Sequence, residues 1–119
     1  MTPRSRKDKG KRLQNLVVKM VLAVFPDLTA RDVLSRIMGD SGSDVILSEV
    51  AFKAFPYDVE CKSNARFAIY QAYEQRNEDV IDGERLVVIK GNHKPPLAIV
   101  SLDHFMELID ASNNTTNTL

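Results

Sequence analysis

The sequence predicts an α/β domain, with a central mixed β-sheet flanked by helices. Three observations carry that expectation. An apolar stripe of helical period runs through residues 13–24. Short β-branched runs bounded by Gly, Ser and Pro follow it. Helical and strand segments then interleave along the chain. The 119 residues are 44% hydrophobic and 27% charged, which suits one domain burying roughly two thirds of its unfolded surface. That domain is expected at 11–110, between a basic flexible arm at 1–10 and a polar disordered tail at 111–119.

The elements follow in order. Leu13, Leu16, Val17, Met20, Val21 and Val24 fall at i, i+3, i+4, i+7, i+8 and i+11, one face of a helix. That helix starts near Lys11 and ends near Phe25, because Pro26 disfavours helical geometry in the residue before it. Leu28 to Val33 reads as a helical turn capped by Thr29, and Ser35 to Met38 as a short strand. Gly39 to Ser43 is a turn, and Asp44-Val45-Ile46-Leu47 a strand.

Ser48 caps a short helix, Glu49 to Ala54, closed by Phe55-Pro56. Tyr57 to Lys62 is the next strand. Ser63 or Asn64 then caps a second long helix reaching Arg76, with Ala65, Ile69, Ala72 and Tyr73 facing the core. An acidic turn at 77–83 precedes a buried-type strand, Leu86 to Lys90. Gly91 to Pro96 turns the chain into an antiparallel partner, Leu97 to Val100. Ser101 caps a last helix, Leu102 to Asp110, expected to bury Leu102, Phe105 and Ile109.

Composition narrows function. Cys61 is the single cysteine, so an internal disulfide and a cysteine-built zinc site are excluded, and a reducing intracellular setting is expected. No apolar run approaches the roughly 18 residues of a membrane span, and the basic N-terminus lacks the apolar segment of a secretory signal. The Asn114-Thr115-Thr116 triplet carries no weight in an intracellular tail. Net charge is zero, yet unevenly spread. Residues 1–12 hold Arg4, Arg6, Lys7, Lys9, Lys11 and Arg12 against Asp8 alone. This fits a phosphate-binding arm on an acidic body, or a solvated terminus.

The chemistry concentrates on two strands. Asp44 opens one. Glu60 lies near the end of the next, with Lys62 two residues on. Strand alternation puts Glu60 and Lys62 on one face and Cys61 on the other. If the two strands pair antiparallel, Asp44 lies beside Glu60. Two carboxylates that close repel unless a cation sits between them, and oxygen ligands suit Mg²⁺ or Mn²⁺. A lysine at the rim of such a site can orient a water and stabilise charge on a phosphate. Alternatively, Glu60 and Lys62 form a surface charge pair.

Asp44, then Glu60-Cys61-Lys62, then a helix bearing Gln71 and Gln75, resembles the PD-(D/E)XK nuclease superfamily. The runs Arg36 to Val45 and Phe55 to Lys62 are similar to its small phage-type and Holliday-junction-resolvase-like members. The resemblance implies a restriction-endonuclease-like αβββαβ core and a metal-dependent DNA endonuclease. It implies Mg²⁺ or Mn²⁺ on Asp44, Glu60 and the Cys61 backbone carbonyl, with Lys62 positioning the attacking water. Gln75, or Gln71 one turn earlier, matches the supporting polar residue on the following helix. Ser43 stands where the motif's proline would be. Gln14 lies on the first helix, where many resolvases carry a metal-site glutamate.

With no base-reading motif, recognition of branched DNA by a homodimer is expected, the backbone gripped by Arg4 to Arg12 and by Lys90 and Lys94. The alternatives are a non-catalytic DNA-binding or assembly module on the same fold, and a small interaction protein. His93 and Lys94 read as a solvated turn, and Asp103-His104 as a capping turn. Glu78, Asp79, Asp82 and Glu84 read as an acidic loop. Tyr57, Phe67 and Tyr70 read as core aromatics, and Cys61 as a packed apolar group.

Overall fold

The computed structural model describes residues 2–37, 39–63, 68–75 and 83–117. The first helix, α1, spans Pro3–Val24, so the basic segment expected to be a flexible arm is helical. The reason is local. The Thr2 hydroxyl accepts from the Ser5 amide at 3.1 Å, and Pro3 occupies the first turn, where its fixed φ suits a helix start. Leu13, Val17 and Val21 form the buried face, while Met20 and Val24 are exposed.

The chain next turns through 26–32, where the Asp32 amide donates to the Thr29 carbonyl at 2.9 Å and the Thr29 hydroxyl accepts from the Arg31 amide at 3.3 Å, the expected turn capped by Thr29. The Asp32 carboxylate accepts from the Thr29 amide and hydroxyl and from the Ser48 hydroxyl. These bonds hold its pKa below the ordinary value, the Thr29 amide contributing most. The strand expected at 35–38 instead forms as β1, Val33–Ser35, paired antiparallel with β2, Val45–Leu47; Met38 lies outside the described residues. Ser48 caps α2, Glu49–Ala54, as expected, its hydroxyl accepting from the Ala51 amide.

Strand β3 is Tyr57–Lys62 and pairs in parallel with β4, Glu84–Ile89. Strand β5, Leu97–Ile99, pairs antiparallel with β4. The architecture is therefore mixed α/β. A single central sheet was expected. Among the described residues there are two, β1-β2 and β3-β4-β5, bridged where the Asp44 amide donates to the Val59 carbonyl at 2.9 Å. Helix α1 packs across both.

Between β3 and β4 the described part of the expected long helix is α3, Ile69–Glu74. Its N-cap residue is Ala68, with no side-chain cap; Asn64, Ala65 and Arg76 lie outside the described residues. Of the expected stripe, Ala72 is buried, Tyr73 half-buried and Ile69 exposed. The last helix, α4, runs Leu102–Asn117 and takes in most of the expected disordered tail. The Ser101 hydroxyl accepts from the His104 amide.

Leu102, Phe105 and Ile109 are 73%, 48% and 43% exposed, against the expectation that they are buried. Helix α4 docks through His104, whose ring meets the Tyr57 hydroxyl at 2.7 Å and Glu84 at 3.4 Å. Docking on that edge turns the 102/105/109 stripe away from the body. Among the described residues no helix is long and apolar enough to cross a membrane.

Alternation along β3 sorts its side chains. Tyr57, Val59 and Cys61 join Leu13, Val17, Val21 and Val88 in the core under α1. Asp58, Glu60 and Lys62 face the α3 side. There Arg85 stands beside Asp58 in register, and the two are only 5% and 2% exposed. The guanidinium reaches Asp58 at 3.0 Å and the carbonyls of Ala72 and Gln75 at 3.0 and 2.9 Å.

Arg85 thus ties two strands to the end of α3. Removing one partner of a buried ion pair leaves an uncompensated charge, which costs about 3–5 kcal/mol. Arg85→Ala should lower the urea-denaturation free energy by about that amount. Replacing the pair together, with Asp58→Leu and Arg85→Met, should recover only part of the loss, because the Ala72 and Gln75 carbonyls and the Ser43 hydroxyl lose their partners.

Candidate functional site at the edge of β3

Asp44 is delivered by a tight turn. Gly39 and Gly42 adopt φ of +94° and +110°, the left-handed region that glycine enters without a Cβ clash. The Arg36 guanidinium donates to the Ser43 carbonyl and fixes the turn from inside. The Ser43 hydroxyl donates to the Asp58 carboxylate. Asp44 does not arrive by a β2–β3 ladder, since β2 pairs with β1. It arrives at the outer edge of β3, where its own amide meets the Val59 carbonyl and its Oδ2 accepts from the Cys61 amide at 2.7 Å.

Glu60 and Lys62 project from one face of β3, and their charged ends meet at 3.1 Å (Oε1 to Nζ). The other Glu60 oxygen lies 3.6 Å from Arg85 Nη2. Glu60 is therefore held from two sides by cations, while the Lys62 side chain stays 40% exposed. Burial pushes the Asp44 carboxyl up from 3.8 to about 6. The Cys61 amide opposes the rise, the Glu60 charge adds to it, and Lys62 and Arg85 pull it back. Asp44 and Glu60 are thus near enough to repel, as carboxylates sharing a site do.

These donors fit one hard divalent cation. Asp44 and Glu60 supply carboxylate oxygens. A strand residue's amide and carbonyl emerge on the same edge, so the Cys61 carbonyl emerges on the Asp44 side. Mg²⁺ is commonly held by one or two carboxylates, with the rest of its shell left to water or substrate phosphate. No group of three or more His, Cys, Asp and Glu residues is placed to hold a metal among the described residues, so an all-protein cage is not formed there. On α1, Gln14 is 4% exposed and its Oε1 has no hydrogen-bond partner among the described residues. It occupies the helix position where an acid is expected by resemblance.

The other candidates fall as follows. Gln75 is exposed and reaches the cluster through its backbone carbonyl, which accepts from Arg85; Gln71 is exposed on α3. The Cys61 thiol packs against the core, and burial pushes its pKa well up. Tyr57 lies in a ring stack with Phe55 and His104. Tyr70 is 82% exposed, and Glu84 pairs with His104. Phe67, Glu78, Asp79 and Asp82 lie outside the described residues. Lys9, Arg12, Lys90 and His93 line one cleft. Lys11 instead donates to the Ser35 hydroxyl at 2.5 Å. Arg4, Arg6 and Lys7 are exposed on the first turns of α1.

Sequence reading missed the supports, Ser43, Asp58 and Arg85. The period of two already placed Asp58 on the Glu60 face. Arg85 opening a run of buried apolar residues was the signal that its charge needs a partner inside.

No family model, curated protein or solved structure matches the chain.

The sign of Asp44's effect on stability follows from its shift. The folded state holds the proton more tightly than the unfolded state, so stability falls as pH rises from 3.8 to about 6 and stays lower above. Asp44→Asn should therefore stabilise the metal-free protein at pH 7, on the order of 1–2 kcal/mol after allowance for solvent screening. Thermal melts should also show the parent rising in Tm with millimolar Mg²⁺, and the variant not.

Proposed function

We propose that the protein is a Mg²⁺-dependent deoxyribonuclease with a restriction-endonuclease-like core. The observation that supports this most is Asp44 bonded to the Cys61 amide at the edge of β3, near enough for the Glu60 charge to act on it, with the Lys62 ammonium on Glu60. In this reading Asp44, Glu60 and the Cys61 carbonyl hold the cation, with Mn²⁺ able to replace Mg²⁺. The bound ion supplies Lewis-acid polarisation of the scissile phosphate.

The side chains divide the remaining work. Arg85 holds Glu60 oriented from behind. Lys62 leaves Glu60 for the cation, donates to a water, and aims its lone pair at phosphorus. A P–O bond forms to that water's oxygen as the opposite P–O bond breaks in line, the water's proton passing to solvent and the leaving oxygen taking a proton from solvent. Glutamine at 71 or 75 lines the α3 side. The substrate is DNA recognised by shape, branched rather than by sequence, and a homodimer would present two such sites. The alternative is a non-catalytic DNA-binding or assembly module. It is favoured by the closed ion pairs on Glu60 and the lack of an acid at Gln14.

Incubating branched and linear duplexes with Mg²⁺ or EDTA separates the two. The nuclease reading predicts cutting that EDTA abolishes and that Lys62→Ala lowers by roughly 10²-fold or more while DNA binding persists. Cutting that survives both, or a parent protein that binds but never cuts with Mg²⁺ or Mn²⁺, contradicts it. Because Asp44 must lose its proton to take the ion, apparent metal affinity should rise about tenfold per pH unit below about 6 and flatten above.

A further inference from the structure

A cleft of about 480 Å³ lies where α1 passes the carboxyl ends of β3 and β4. Its walls come from two distant segments, Lys9 and Arg12 on α1 and Lys90 to His93 after β4, with Ser63 at the rim. None of its lining residues is acidic. The turn has a fixed shape. The Lys94 amide donates to the Gly91 carbonyl at 3.2 Å, and His93 takes a left-handed φ of 57°. Lys9 Nζ donates to Asn92 Oδ1 at 2.6 Å, which fixes α1 against the turn. The Lys90 ammonium donates to the Gly91 carbonyl of the same turn at 3.3 Å, and two lysines and an arginine lining one concavity favour a bound anion.

The cleft abuts the candidate metal site without sharing a side chain with it. Ser63 follows Lys62 directly, and the Lys90 amide donates to the Lys62 carbonyl at 2.9 Å. Yet the Lys62 side chain leaves the sheet on the α3 face, and the cleft opens beside α1. We propose that this cleft binds a backbone phosphate of the DNA strand being cut, close to the scissile one along the chain. The strand then crosses the carboxyl ends of β3 and β4. The proposal rests on the nuclease reading for the position of the scissile phosphate. It also assigns the grip to Lys9, Arg12 and Lys90, and not to Arg4, Arg6 and Lys7, which lie outside the cleft.

Two triple variants with the same loss of charge test it, K9A/R12A/K90A and R4A/R6A/K7A. Binding of a fluorescent DNA is read by anisotropy in EDTA across about 50–200 mM salt, with thermal melts on each protein. The expected result is at least a tenfold loss of affinity for the cleft variant. The slope of log affinity against log salt should be shallower by about 0.9 for each phosphate no longer neutralised. The arm variant should lose several-fold less.

Equal losses would show general attraction to a basic surface and overturn the proposal. So would no loss in the cleft variant, or a loss that tracks a collapsed melt. Cutting by the parent is scored separately in Mg²⁺. A parent that binds through the cleft but does not cut overturns the nuclease reading while leaving the phosphate cleft in place.

Discussion

The buried guanidinium of Arg85 is the interaction on which the rest of this structure depends. It sits on β4, but it satisfies Asp58 and Glu60 on β3 and two carbonyls at the end of α3. A parallel strand pair has no hairpin to set its register. Here a charge that tolerates little displacement helps to set it. Asp58 also accepts from the Ser43 hydroxyl, so the same pair reaches the turn that delivers Asp44. Each arm of the candidate site is thereby referred to one cation.

Asp44 shows the complementary strain. The fold holds a half-buried carboxyl near a second carboxylate, and its proton is bound more tightly as a result. Such an arrangement weakens the metal-free protein above about pH 6. Groups held at a cost to stability are common where a site must be ready for a ligand. Glu60 has cationic neighbours and Asp44 has mainly an amide, so the two acids are prepared differently. One is oriented by cations, and in the proposed reading the other gains its counter-ion from the metal.

Much of the fold was legible because local chemistry and pattern agreed. The α1 stripe, the Ser48 and Ser101 caps and the alternation in Tyr57–Lys62 each combine a periodicity with a turn residue. Glu60 and Lys62 were legible as neighbours because strand alternation acts over two residues, whereas Asp44 comes to β3 by another route than the antiparallel pairing expected. Thr2-Pro3 was a readable helix start that the basic composition obscured.

The rest depends on tertiary choices that no local pattern encodes. Nothing in Leu102, Phe105 and Ile109 says that His104 docks α4 and leaves them outside. Nothing near Val45 says that β2 pairs with β1 while Ser43 and Asp44, just before it, bond to β3. Arg85 carried a hint of burial, but its partner required the parallel register. The joining of Lys9 and Arg12 to Lys90 across one cleft likewise follows only from how α1 crosses the sheet.

In the proposed reading Asp44, Glu60 and the Cys61 carbonyl converge on one divalent ion. A crystal grown with Mn²⁺ and measured at the manganese absorption edge tests it directly. One anomalous peak is expected at the edge of β3, about 2.0–2.2 Å from an oxygen of each of the three groups. A map with no peak there, with Glu60 still closed on Lys62 and Arg85, would contradict it.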